Sequence, residues 1–183
     1  AIVHWAETGA DVNRIVRDIA LGNGVKKIIK SKSMLGEESN LNYFLQEAGL
    51  DVRETDLGEY ILQISGETPS HIIAPAIHKS KEDVAELFER VHLMLRPHFL
   101  SADMGISGAN FLVAETGSVA IVTNEGNGRM TTTMPRIHVA ITGIEKVVPT
   151  LEDMSVLLRL LTRSATGQSI SNYISMLSGV RGP

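Results

Sequence analysis

Short apolar runs alternate with stretches of helical periodicity along most of this chain, and that alternation limits the fold more than any other feature. Residues 8–21 place Val12, Ile15, Val16 and Ile19 at three-to-four spacing, the pattern of a helix with one buried face. Asn23-Gly24 stops it, because glycine accepts the left-handed backbone needed at a helix end. Residues 25–30 read as a strand, 37–48 as a second helix ending at Gly49, and 51–54 as another strand. Residues 60–64 and 71–74 are further strand-like runs, the second closed by Pro75. Residues 81–95 predict a third helix, stopped by Pro97. Three β-rich stretches follow at 110–114, 118–123 and 137–141. A fourth helix is expected over 151–166, with Leu151, Met154, Leu157, Leu158 and Leu161 on one face, and a last strand over 173–177. The first residues, 2–5, also read as a strand. Strands separated by helices indicate an α/β architecture with flanking helices around a mostly parallel sheet.

The middle of the chain departs from strict alternation. Glu115-Thr116-Gly117 joins two strands, and Asn124-Glu125-Gly126-Asn127-Gly128 reads as a turn before residues of β character, so a local antiparallel hairpin is expected. No internal repeat or low-complexity linker divides the sequence, and residues 1–183 read as one domain.

With 183 residues, 43% hydrophobic and 21% charged, the chain buries a core and is not of the disordered class. A net charge of −4 argues against a nucleic-acid binder, which carries a basic patch. There is no cysteine, hence no disulfide, no catalytic thiol and no thiolate ligand for zinc or an iron–sulfur cluster. That absence suits a reducing compartment, and a cytoplasmic protein is expected. No apolar run is long enough for a membrane span, and no secretory signal precedes the first strand. The first residue is alanine, so the sequence reads as a piece of a longer polypeptide.

Three stretches carry side chains suited to chemistry. Lys30-Ser31-Lys32-Ser33 lies between a predicted strand and a helix, where an α/β sheet binds ligands; it is either a cradle for a carboxylate or phosphate, or a solvated loop. Glu115 follows an apolar run at a strand end and is either an acid–base or nucleophilic carboxylate, or a turn residue capping nearby amides. Asp103, Ser107 and Asn110 stand beside two glycines that permit close backbone approach, and Arg129 and Arg136 flank three threonines and offer planar donors for a carboxylate. No phosphate-loop, dinucleotide, zinc-helix or nucleophile-elbow pattern is present. His4 and His138 read as core or sheet residues, and the seven methionines as scattered gap-fillers.

Several blocks in order make the sequence familiar. They are Lys30-Ser31-Lys32-Ser33-Met34 with Glu37-Glu38 and Leu41-Asn42, the run 54–60, the run 69–78, and residues 102–148 with Glu115-Thr116-Gly117-Ser118 and Thr123-Asn124-Glu125-Gly126-Asn127-Gly128-Arg129. Together they resemble the LUD domain of the iron–sulfur protein of bacterial L-lactate utilisation systems. The resemblance implies a Rossmann-like fold of the NagB/RpiA/CoA-transferase group. It implies a role in oxidising lactate to pyruvate alongside other lactate-utilisation subunits, with no cofactor in this chain and [4Fe-4S] clusters held by a cysteine-bearing part that follows the domain. It places Lys32, Ser33, Arg129 and the turn Thr116-Gly117-Ser118 around an anion pocket for a small organic acid, with Asn110 and Asn124 beside it. By analogy with glutamates of related CoA-transferases, Glu115 is the catalytic candidate. A non-catalytic docking scaffold and an independent acyl- or CoA-handling enzyme remain the alternatives. Relatives of this kind are also expected to carry a longer connection around residues 89–95.

Overall fold

The computed structural model describes residues 1–56, 60, 81–123, 126–169 and 173–179. Helix α1 (Gly9–Gly22) begins with a reciprocal cap: the Thr8 hydroxyl accepts the Asp11 amide, and the Asp11 carboxylate accepts the Thr8 amide. Strand β1 (Lys27–Lys30) follows, then α2 (Met34–Glu38), α3 (Leu41–Glu47) and β2 (Asp51–Glu54). The single helix expected over 37–48 is therefore two. Asn40 lies between them in the left-handed region at φ 54°, which asparagine tolerates better than most residues and which no helix continues through.

Helix α4 (Lys81–Ser101) leads to β3 (Met104–Gly108), and β4 (Phe111–Val113) and β5 (Ser118–Val122) come next. Then follow α5 (Asn127–Thr133), β6 (Ile137–Ile141), a 3-10 turn (Ile144–Lys146), β7 (Val147–Val148), α6 (Leu151–Thr166) and β8 (Ile174–Leu177). Strands β2-β1-β3-β6 form an all-parallel sheet, in which Ile28 is paired with both Val52 and Met104. On one face Val16 and Ala20 of α1 and Leu41 and Leu45 of α3 pack against Ile28, Val52, Met104 and Ile106. On the other, Val91, Leu95 and Phe99 of α4 pack with Ile29 and Tyr60. Burial on both faces is what a parallel sheet requires. The expected hairpin is β4–β5, and it belongs to a second, mixed sheet of order β7-β4-β5-β8. There Val113, Ala120 and Val148 are covered by Met154 of α6.

Four expectations change. Residues 1–6 form no strand: they are exposed, and among the described residues no neighbouring strand pairs with them, so His4 is not a core residue. Helix α4 does not stop before Pro97 but runs to Ser101. Val91, Leu95 and Phe99 continue the four-residue spacing past the proline, and this packing outweighs the hydrogen bond that proline lacks. Residues 127–133 are helix rather than the end of a hairpin. Thr131 is fully buried there, and the hydroxyls of Thr132 and Thr133 donate to the Arg129 carbonyl, so packing and local bonds override β propensity. Of the methionines only Met104 and Met154 are buried; the other five are exposed. Of the strand expected at 60–64 only Tyr60 is described, its amide donating to the Asp56 carbonyl as in a helical turn, and the strand expected at 71–74 lies outside the described residues.

Candidate functional site

The chain passes from β2 to β3 across β1, so strand order reverses between β1 and β3. In open α/β sheets the crevice outside the carboxyl ends at such a point is where ligands bind. Here it is bounded by Ser31-Lys32-Ser33 after β1 and by Ser107-Gly108 at the end of β3. The two segments are tied by Ser31 N–H to Ile106 O at 2.9 Å and Gly108 N–H to Lys32 O at 3.2 Å. Glycine is required at 108 for this approach, since a Cβ there would stand 2.9 Å from the Lys32 carbonyl oxygen. Ser33 is buried, and its hydroxyl accepts the Gly36 amide as the cap of α2. Lys32 is exposed at the crevice.

Beneath this edge lies a set of buried polar side chains that the sequence reading did not separate out. Lys30, with no solvent exposure, donates from Nζ to Glu54 Oε1 at 2.8 Å, and the Asn42 amide donates to the same oxygen. Lys30 and Glu54 are cross-strand neighbours in the parallel register. The signal was available: each is the last residue of its strand, and adjacent parallel strands bring such ends together. Thr55 donates its hydroxyl to the Lys30 carbonyl and lies 3.3 Å from the Thr131 hydroxyl, while the Asn127 amide donates to the Thr55 carbonyl. The start of α5 is thereby held at the end of β2.

On the opposite face of the sheet, Ser107 Oγ lies 2.8 Å from His138 Nε2. Burial disfavours the imidazolium, so His138 titrates below the ordinary histidine range. Asp103, at the amino end of β3, accepts the amides of Lys26 and Lys27, which hold its carboxyl below the usual carboxylate range.

The remaining sequence candidates divide between the two ends of β4. Asn110, just before β4, accepts the Val122 amide and closes the hairpin. Glu115, just after it, is exposed and accepts the Leu151 amide at 2.7 Å, which places a carboxylate at the start of α6. Of the two readings of Glu115, capping has a partner in the structure. Thr116 donates to Ser118, and Ser118 meets Ser178, so these hydroxyls are engaged within the mixed sheet; Gly117 supplies the positive φ of the turn. Arg129 is exposed on α5, two residues beyond Asn127. Asn124 lies outside the described residues. The Lys32–Ser33 loop and the Glu115 turn thus belong to different sheets.

Iron–sulfur ligation does not fit this chain, which offers no thiolate. Among the described residues no group of three or more His, Asp or Glu side chains is arranged to hold a metal ion, and no helix is long and apolar enough to cross a membrane. Helix α4 runs unbroken across 89–95, the position at which relatives were expected to be longer.

A model of the LUD domain family matches residues 1–183. Lactate utilization protein B of Geobacillus kaustophilus (strain HTA426) is 47% identical over 196 residues, covering 98% of this chain and 41% of that protein. Lactate utilization protein B of Bacillus subtilis (strain 168) is 45% identical over 194 residues, covering 97% of this chain and 40% of that protein. The chain therefore spans about two fifths of the length of these curated relatives. A crystal structure of a DUF162 family protein from Deinococcus radiodurans aligns with a TM-score of 0.41 at 13% identity, covering 94% of this chain and 89% of that one. Matched from its first residue to its last, the chain belongs to the LUD domain family.

Proposed function

We propose that this domain serves lactate utilisation in the cytoplasm as part of a longer protein, and that it holds a small organic acid at the carboxyl edge of its parallel sheet. The observation that carries this reading is the 45–47% identity, along nearly the whole chain, to proteins named lactate utilization protein B. The edge supports it chemically. Lys32 presents an exposed ammonium at the switch point, and Arg129 offers a planar donor on the helix whose start is bonded to the end of β2. The Lys30–Glu54–Asn42 cluster fixes the strand ends beneath, so a bound carboxylate meets a rigid floor.

Oxidising lactate to pyruvate removes two electrons and two protons, and this chain has no cysteine with which to hold an iron–sulfur cluster for them. In this reading the domain binds and orients the acid, while [4Fe-4S] clusters in the remainder of the protein and other lactate-utilisation subunits carry the electrons. Glu115 acts as a helix cap.

Calorimetry on the chain tests the binding step. L-lactate or pyruvate should bind with a Kd on the order of 1 mM or tighter, and Lys32→Ala should weaken binding by about tenfold. Absence of heat with both acids, or a Lys32→Ala protein that binds normally, would falsify the site. In the full-length protein, Glu115→Gln should leave lactate-dependent growth intact. Loss of growth at normal protein level would return Glu115 to the chemistry.

A further inference from the structure

An all-parallel sheet has two unlike edges, and its amino edge lies at the opposite end of the strands from the crevice. The turns that enter β1, β3 and β6 there, residues 23–26, 102–103 and 134–136, all belong to the described part of the chain. They bring Lys26, Lys27 and Arg136, each exposed, to the starts of three neighbouring strands, within a breadth of about 10 Å. Two of these cations are already held in place. The Arg136 guanidinium donates to the Asn23 carbonyl at 2.6 Å, and the Lys27 ammonium to the Ser101 hydroxyl at 3.3 Å. Neither bond neutralises a charge, and none of the three cations forms an ion pair among the described residues. Asp103, on the strand between them, is near enough for the charges of Lys27 and Arg136 to act on it, but it accepts the amides of Lys26 and Lys27. Three cations and one anion leave a local excess of two positive charges in a chain of net charge −4. On the β2 side, Glu47 at the end of α3 and the Arg53–Asp51 pair carry the opposite balance, so the positive ground is confined to β1, β3 and β6. Apolar side chains stand at the same edge. Leu21, Leu100 and Met134 lie at the ends of α1, α4 and α5, the helices that deliver the chain to these strands, and they are 52%, 63% and 47% exposed. Scattered singly, such residues are ordinary on a surface; three gathered at one edge beside fixed cations are not.

We propose that the amino edge of the parallel sheet docks the acidic surface of a partner protein, one whose aspartates and glutamates are interspersed with apolar side chains. Carboxylates of that surface pair with Lys26, Lys27 and Arg136, and the two side chains already held in place lose little freedom on binding. Leu21, Leu100 and Met134 are covered by the partner's apolar groups. Charge also argues against other occupants. Three cations in an acidic chain fall short of the basic face that a nucleic acid needs, and phosphates would leave the apolar side chains uncovered. A second copy in a two-fold contact would set the same cations face to face, where they repel. A partner seated here leaves the carboxyl edge open, since that edge lies four or five residues further along each strand, about 15 Å away. The proposal therefore stands apart from the acid-binding reading of that edge.

The test uses a capped, fluorescently labelled nonapeptide, Glu-Glu-Leu repeated three times, against the same peptide with lysine in place of glutamate. The acidic peptide should bind saturably, more weakly as salt rises, and should shift the backbone amides of residues 21–27, 100–103 and 134–136 in NMR spectra. Lys26→Gln with Lys27→Gln and Arg136→Gln should raise its Kd by on the order of tenfold while leaving circular dichroism unchanged. Arg136→Lys, which keeps the charge, should retain most of the affinity, and Leu21→Ser with Leu100→Ser should weaken binding at every salt concentration. The lysine peptide should not bind. Binding of both peptides alike, binding by neither, indifference to the triple substitution, or shifts gathered instead at residues 31–33 and 107–108 overturns the proposal. So does tighter binding to a DNA duplex or to phosphatidylserine vesicles than to the acidic peptide, and so does a dimer in sedimentation that the triple substitution abolishes.

Discussion

An ammonium with no solvent exposure needs a counter-charge, and Lys30 meets Glu54 at 2.8 Å. Such a pair contributes little net stability over an apolar pair of the same volume, because desolvating both charges offsets their attraction; breaking it is costly. Lys30→Met should therefore lower stability by about 3–5 kcal/mol, and Lys30→Met with Glu54→Leu should recover a large share of that loss. Urea midpoints at constant slope give both values, and a single variant as stable as the parent would contradict the burial of the pair. At this scale the sequence was only partly legible. It marked Lys30, Lys32 and Ser33 as one loop cradle, but β1 ends at Lys30 and these side chains go to different destinations. Lys30 goes under α2 and α3, Ser33 to a helix cap, and Lys32 to the surface. The position of Gly105 was just as silent in the sequence. A Cβ there would lie 1.9 Å from the Thr131 carbonyl oxygen, a contact set by where α5 rests and by nothing local.

Among the elements, β6 carries the group best placed to make stability depend on pH. Burial depresses the His138 pKa below its ordinary 6.5, so the unfolded chain binds a proton there more readily than the folded one. Stability from this group is full above pH 6.5 and falls as the pH drops toward the depressed folded value. His98 on α4 is shifted the same way, by burial first and then by the Arg53 charge. His138→Gln should accordingly flatten the decline in urea midpoint between pH 7 and pH 5 without abolishing it; an unchanged slope would refute the assignment. Helices α1 and α6 were readable because their start signals are local: Thr8 and Thr150 each accept an amide three residues on. Pro97 and the three threonines of α5 misled for the opposite reason. Their local preferences are real, and packing of Phe99 and Thr131 outweighs them.

Across the whole molecule, protection of amides from hydrogen exchange should follow burial. The amides of β1 and β3, central in the parallel sheet and covered on both faces, should exchange only by global opening, whereas residues 2–6, exposed and outside any sheet, should exchange fastest. Protection of residues 2–6 in the isolated chain would show a partner for Ile2 and Trp5. The α/β class and its parallel sheet were legible from periodicity; the division into two sheets was not, since β4 is three residues long and β7 two. Only Ala109 and Asn110 separate β3 from β4, and a single 3-10 turn carries β6 into β7. The neighbours β3 and β6 in one sheet are thus continued by the neighbours β4 and β7 in the other, both pairs parallel. The two sheets are therefore joined twice at adjacent points, and any change of tilt between them has to be taken up by Ala109-Asn110 and by residues 142–146 together.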